Sequence, residues 1–108
     1  MASTKEYLDF VREQLSGLEE IRVRPMMGEY LLYYQGKVVG GVYDDRLLLK
    51  ASPSALRLTE EAGLEPQWEL PYEGAREMLL ADVDRRELLE ARVPAIAEEL
   101  PAPKRRPR

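Results

Sequence analysis

The sequence predicts an α+β domain of two layers, an antiparallel sheet of about four to five strands flanked by helices. Three observations predict it. An apolar stripe at helical spacing opens the chain, strand-type runs broken by two tight turns fill residues 21–50, and two further helix starts follow at Ser52 and Asp84.

Each element has its own local signal. Ser3-Thr4-Lys5-Glu6 has capping-box spacing, and Tyr7, Leu8, Val11, Leu15 and Leu18 then recur at three- and four-residue steps. This predicts a helix over roughly 4–16, closed by Gly17 as a left-handed cap. Ile21-Arg-Val-Arg24 alternates apolar and basic residues, and Pro25, which lacks a donor, marks a strand end or edge. Gly28 precedes Tyr30–Tyr34, whose two faces are both apolar, as expected of an inner strand. Gln35-Gly36 and Asp44-Asp45 read as tight turns on either side of a strand over 37–43, and 46–50 completes the meander. Gly40-Gly41 inside a strand marks a bulge or a close approach, and a helix packed tightly over the sheet is the expected neighbour. Ser52-Pro53 starts a second helix that stops at Gly63. Residues 65–74, with Pro66, Pro71 and Gly74, read as loop, with Trp68 covering a sheet face. Residues 76–82 read as a strand. Asp84-Arg-Arg-Glu87 repeats the capping-box spacing before a third helix, which Pro94 is expected to kink or split.

Composition narrows the function more by what is missing than by what is present. The 108 residues suit one domain, placed at 1–100, and 44% hydrophobic residues can fill one core. No apolar run approaches a membrane span, and the first residues carry no signal-type stretch, so a cytoplasmic protein without membrane contact is expected. Cysteine and histidine are both absent. That removes disulfides, thiolate nucleophiles, histidine-based triads and the usual zinc ligands. No cofactor is implied, and a non-enzymatic role is expected.

The remaining candidates are weighed against plainer roles. Asp44-Asp45 offers oxygen ligands for a hard cation, but turn chemistry accounts for both. Asp82-Val-Asp84 begins like a calcium loop yet lacks the required glycine and the terminal glutamate. Lys50 and Ser52 do not form a dyad if Ser52 is a helix cap. Tyr30, Tyr33, Tyr34, Tyr43 and Tyr72 suit core and interface packing. Base stacking is disfavoured because residues 1–100 hold 20 acidic against 12 basic residues, a charge of −8. The last eight residues, Pro101–Arg108, are basic, proline-rich and without an acid, and read as a disordered tail. Its Lys104, Arg105, Arg106 and Arg108 would give at most weak, salt-dependent nucleic-acid affinity. A small-ligand or enzymatic site built from tyrosine and carboxylate groups near Gly40-Gly41, with Tyr43 or Glu29 facing it, is the alternative function.

The least generic stretch is Arg24-Pro-Met26-Met27-Gly28-Glu29-Tyr30, a flexible apolar patch suited to protein contact or to core filling. Together with Tyr34-Gln-Gly36 and Asp44-Asp-Arg-Leu-Leu-Leu-Lys50, it resembles the N-terminal domain of TfoX-type competence regulators. Pro71-Tyr-Glu-Gly-Ala75 and residues 82–88 resemble stand-alone members. The resemblance covers nearly all of residues 3–100. It implies a secretion-chaperone-like α+β fold and a regulatory or protein-binding role, with homodimerisation one form of such contact. It brings no catalytic residues. In full-length regulators a helical C-terminal domain follows, where this sequence has its basic tail.

Overall fold

The structure, a computed structural model, describes residues 3–26 and 28–100. Six strands form one antiparallel sheet: β1 (Ile21–Met26), β2 (Glu29–Tyr34), β3 (Lys37–Val42), β4 (Leu47–Leu49), β5 (Trp68–Glu69) and β6 (Met78–Leu80). They lie in the order β1-β2-β3-β4-β6-β5, and the helices are α1 (Lys5–Gln14), α2 (Pro53–Glu61) and α3 (Arg86–Glu99). The α+β expectation therefore holds, with one strand more than expected. The addition is β5, a two-residue strand that pairs Trp68 with Leu79 inside the stretch read as loop.

The first four strands follow from their turns. Gln35 and Gly36 adopt φ of 52° and 81°, and Asp44 and Asp45 adopt 51° and 55°. Two successive left-handed residues match the right-handed twist of a two-residue hairpin. Pro25 sits in β1, an edge strand, where its missing donor costs no ladder bond on the open side. β2 lies between β1 and β3, the inner position its sequence predicts, with Leu32 buried and its other residues half-buried.

Strand alternation splits the sheet into two faces. Leu32, Val39, Val42, Leu47, Leu49 and Leu79 join Leu8, Val11 and Leu15 of α1, Ala55 of α2, and Leu89, Val93 and Ile96 of α3 in one buried cluster. Leu31, Gly41, Leu48 and Leu80 alternate with those residues and point the other way. Leu48 and Tyr43 are buried yet lie outside the helix-side cluster. The outer face is therefore partly covered by something other than helices.

Helix ends show where local spacing competes with long-range bonds. Thr4, not Ser3, caps α1, accepting from the Tyr7 N–H at 3.2 Å. Ser3 is otherwise engaged: its N–H and hydroxyl both donate to Glu29 Oε1, at 2.9 and 2.7 Å. Gly17 is not left-handed; a Cβ there would press on the Glu90 carboxylate at the end of an α3 side chain. Ser52 caps α2 as its sequence predicts, accepting from Ala55 N–H, with Pro53 at the first position. α3 begins after Arg85 without a side-chain cap, one residue later than the spacing at Asp84 predicts; Asp84 instead lies in the preceding turn, where its N–H donates to Asp82 Oδ1 at 3.1 Å. α3 also runs through Pro94 as one helix. Buried Val93, Ile96 and Ala97 hold both of its halves against the core, and Lys37 Nζ donates to the C-terminal carbonyls of Ala97, which also accepts the Leu100 N–H, and Leu100, at 2.7 and 3.2 Å.

Candidate functional site

The Gly40-Gly41 pair organises the outer face, and what approaches it is strand rather than helix. A Cβ on Gly40 would collide with the Leu48 carbonyl oxygen and lie 3.0 Å from Leu49 Cα. A Cβ on Gly41 would lie 2.6 Å from the Tyr43 ring and 2.7 Å from the Tyr30 carbonyl oxygen. The register between β2 and β3 shifts at Leu32/Tyr33, the bulge that in-strand glycines suggest. The Tyr43 ring thus folds back over bare backbone and is buried there. Tyr72 follows with ring centroids 6.2 Å apart at a 55° tilt, the edge-to-face range for aromatic pairs.

Residues 69–72 complete the wall, held by Arg46. Its Nη1 pairs with Glu69 Oε1 at 2.6 Å, its Nη2 donates to the Leu70 carbonyl at 3.1 Å, and its Nε donates to the Tyr43 carbonyl at 3.2 Å. Arg46→Ala should therefore lower stability by about 1–2 kcal/mol, the partly exposed ion pair adding little beyond its hydrogen bonds. Backbone amides of residues 69–72 should exchange faster by hydrogen exchange while those of β2 and β3 keep their relative protection.

Two adjoining grooves result, sharing Tyr43, Pro71 and Tyr72. One, of about 690 Å³, runs past Val38, Lys50, Pro53 and Met78 to Glu99 and Leu100 at the end of α3. Glu99 Oε1 accepts from the Ser54 N–H at 3.0 Å, and that bond with those from the Ser52 and Ser54 side chains holds the Glu99 carboxyl below its ordinary range. The other groove, of about 840 Å³, is lined by Met26, Glu29, Asp44, Leu70 and Glu73 as well. Both are open clefts, and Tyr43 and Glu29, the two residues expected to face a tyrosine–carboxylate site near Gly40-Gly41, both line the larger one.

The residues singled out from sequence are dispersed over these surfaces. Arg24 is exposed on β1, Met26 and Glu29 line the larger groove, Gly28 turns the chain with φ of 87°, and Tyr30 packs against the core cluster. Met27 and the tail residues Lys104, Arg105, Arg106 and Arg108 lie outside the described residues. Glu29 is committed to structure: besides Ser3, its Oε2 accepts from the Asp44 N–H at 2.8 Å. Asp45 accepts from the Thr4 N–H at 2.7 Å, so the acidic turn anchors the start of α1. Among the described residues no cluster of three or more metal-ligating side chains occurs, and no helix is long and apolar enough to cross a membrane. Trp68, expected to cover a sheet face, is 45% exposed and lines neither groove, while Leu70 at 46% and Tyr72 at 58% are exposed apolar residues of the larger one.

Burial pushes the Tyr43 phenol above its ordinary 10.0, with the Tyr72 and Glu29 charges adding to it. Burial also raises Tyr7, opposed by the Leu47 N–H that donates to its oxygen at 3.2 Å. The folded state holds both protons more tightly than the unfolded chain. Their contribution is complete below about pH 10 and is lost as pH rises through the folded pKa values. Urea midpoints should fall above about pH 10, and Tyr43→Phe should flatten that decline.

The sequence profile described as the TfoX N-terminal domain matches residues 13–89. The chain belongs to the TfoX N-terminal domain family. It is also similar to an uncharacterised 12.7 kDa protein in the trpE 5′ region of Spirochaeta aurantia, 36% identical over 98% of this chain and 90% of that protein. The matched span of the TfoX N-terminal domain covers the whole sheet, Arg46, Gly40-Gly41 and every residue lining the larger groove, whereas Glu99 and Leu100 of the other groove lie beyond it.

Proposed function

We propose that this TfoX N-terminal domain is a non-enzymatic regulatory module that docks a segment of another protein along its outer sheet face. The observation that supports this reading is the larger groove, where apolar Met26, Leu70, Pro71 and Tyr72 meet the carboxylates of Glu29, Asp44 and Glu73. Arg46, the cation of that groove, is already paired with Glu69. The fitting occupant is an extended segment with one or two apolar anchors and flanking lysines or arginines. A second copy suits the surface less, since two bodies of charge −8 repel, 20 acids against 12 bases in residues 1–100 of each. The absence of cysteine and histidine from the whole sequence, and the saturation of Glu29 and Asp45 by backbone donors, favour binding over catalysis.

The test places a photo-crosslinking residue at Tyr72 and, as control, at exposed Asp9 on α1. Crosslinks from Tyr72 alone, mapping to a basic, apolar-anchored segment of a single protein, are expected. Equal labelling from both positions, or a self-crosslinked dimer alone, would overturn the reading.

A further inference from the structure

Arg92 of α3 presents a separate problem from the groove. It is 2% exposed, and only its Nη1 is engaged, donating to the Thr59 hydroxyl at 3.0 Å. That hydroxyl in turn donates to the Ala55 carbonyl at 2.7 Å. Nε and Nη2 are buried and have no hydrogen-bond partner among the described residues. A guanidinium remains charged in proteins, and buried charges are paired or bound to a ligand. The unmet edge is also specific, because Nε and Nη2 present the parallel donors that grip the two oxygens of a carboxylate.

Arg92 lines a cleft of about 360 Å³ between α2, β6 and α3, and it is the one cation among the lining residues. Leu64 and Val83 supply apolar walls, whereas Glu65 and Asp82 are exposed acids on the same cleft. The volume falls in the small-ligand range. Burial pushes the Arg92 pKa down, with Asp82 opposing and Arg85 adding to the fall, so an added anion would be stabilised by the same charge that burial now penalises.

We propose that this cleft binds a small monocarboxylate, its carboxylate held side-on by Nε and Nη2 of Arg92 and its aliphatic part against Leu64 and Val83. The two acids of the cleft disfavour a doubly charged phosphate or sulfate and tolerate a single charge. The same acids would accept the ammonium of a free α-amino acid, so simple carboxylic acids and amino acids share the recognised chemistry. Neither nitrogen is open to solvent, so the ligand must part the cleft wall to reach them.

The test follows the arginine Nε–H resonances of the full chain by ¹⁵N NMR while propionate, L-valine or inorganic phosphate is added at constant ionic strength set by chloride. The Arg92 Nε–H signal, assigned by its loss in Arg92→Met, should shift saturably with propionate or L-valine and not with phosphate. Arg92→Met, an apolar replacement of similar length, should fold and bind these carboxylates roughly tenfold or more weakly. If that variant fails to fold, the wild-type titration still decides, with the signal assigned by through-bond correlation. A signal that neither carboxylate moves, a response matched by chloride, or equal binding of phosphate would overturn the proposal and leave water as the occupant.

Discussion

Gly40→Ala should destabilise the domain by about 3 kcal/mol or more, toward the upper end for overpacking of a tight interior. The reason is the identity of the colliding atom. The new methyl would meet the Leu48 carbonyl oxygen, part of the β4 backbone, and no rotamer change can move it aside. Gly40 has no left-handed φ, so the cost is steric and alanine gains none of the relief it brings at a relaxed glycine. Gly17→Ala is the natural comparison: there the obstacle is the end of the Glu90 side chain, which can swing away. Urea unfolding of the two variants should show a large fall in midpoint for Gly40→Ala and a small one for Gly17→Ala. Equal effects would mean that the β3–β4 contact is looser than described.

Leu49→Ala should cost about 3–4 kcal/mol, within the usual span for emptying a buried leucine site. Leu49 is fully buried in β4, between Gly40 on β3 and Leu79 on β6. Its glycine neighbour has no side chain to collapse into the void, which places the expected cost above the low end of that span. For a domain with a total stability of about 5–15 kcal/mol, either substitution removes a large fraction. Gly40 and Leu49 are cross-strand partners, so the Gly40→Ala/Leu49→Ala pair should fall short of additivity by roughly 0.5–3 kcal/mol, while the clash with the Leu48 carbonyl persists. Full rescue in the double variant would place the clash on the Leu49 side chain instead.

Elements set by short-range chemistry were legible in the sequence. Ser52-Pro53, the Gln35-Gly36 and Asp44-Asp45 turns and the edge position of Pro25 depend on one residue's backbone preference or one local bond, and the structure has each of them. β5 was not legible, because two residues carry no alternation and exist only through pairing with β6. The start of α1 moved by one residue because Ser3 bonds Glu29, 26 residues away in sequence, in preference to its own helix. Most of the groove was illegible for the same reason. Arg46 reads as an ordinary basic residue after a turn, and its bonds to residues 69 and 70 appear only when β4 and β5 share a sheet. Met26 and Glu29 were singled out, yet their companions Leu70 and Tyr72 lay in a segment that looked like plain loop. Arg92 did leave a signal, since it falls three residues after Leu89 and four before Ile96, on the apolar face of α3.

The central claim is that the face bearing Tyr43, Leu70 and Tyr72 binds a basic, apolar-anchored protein segment. The most direct measurement is calorimetric titration of the crosslink-mapped segment, as a synthetic peptide, into the wild type and Leu70→Asp/Tyr72→Asp. Both substituted residues are exposed, so the fold should persist, with a cost within about 0.5 kcal/mol at Leu70 and about 0.5–1.5 kcal/mol at Tyr72 for the lost contact with Tyr43. Binding to the wild type that weakens with added salt, and a loss of roughly tenfold or more in the variant, is the predicted result. Equal affinity for the two proteins would contradict the account.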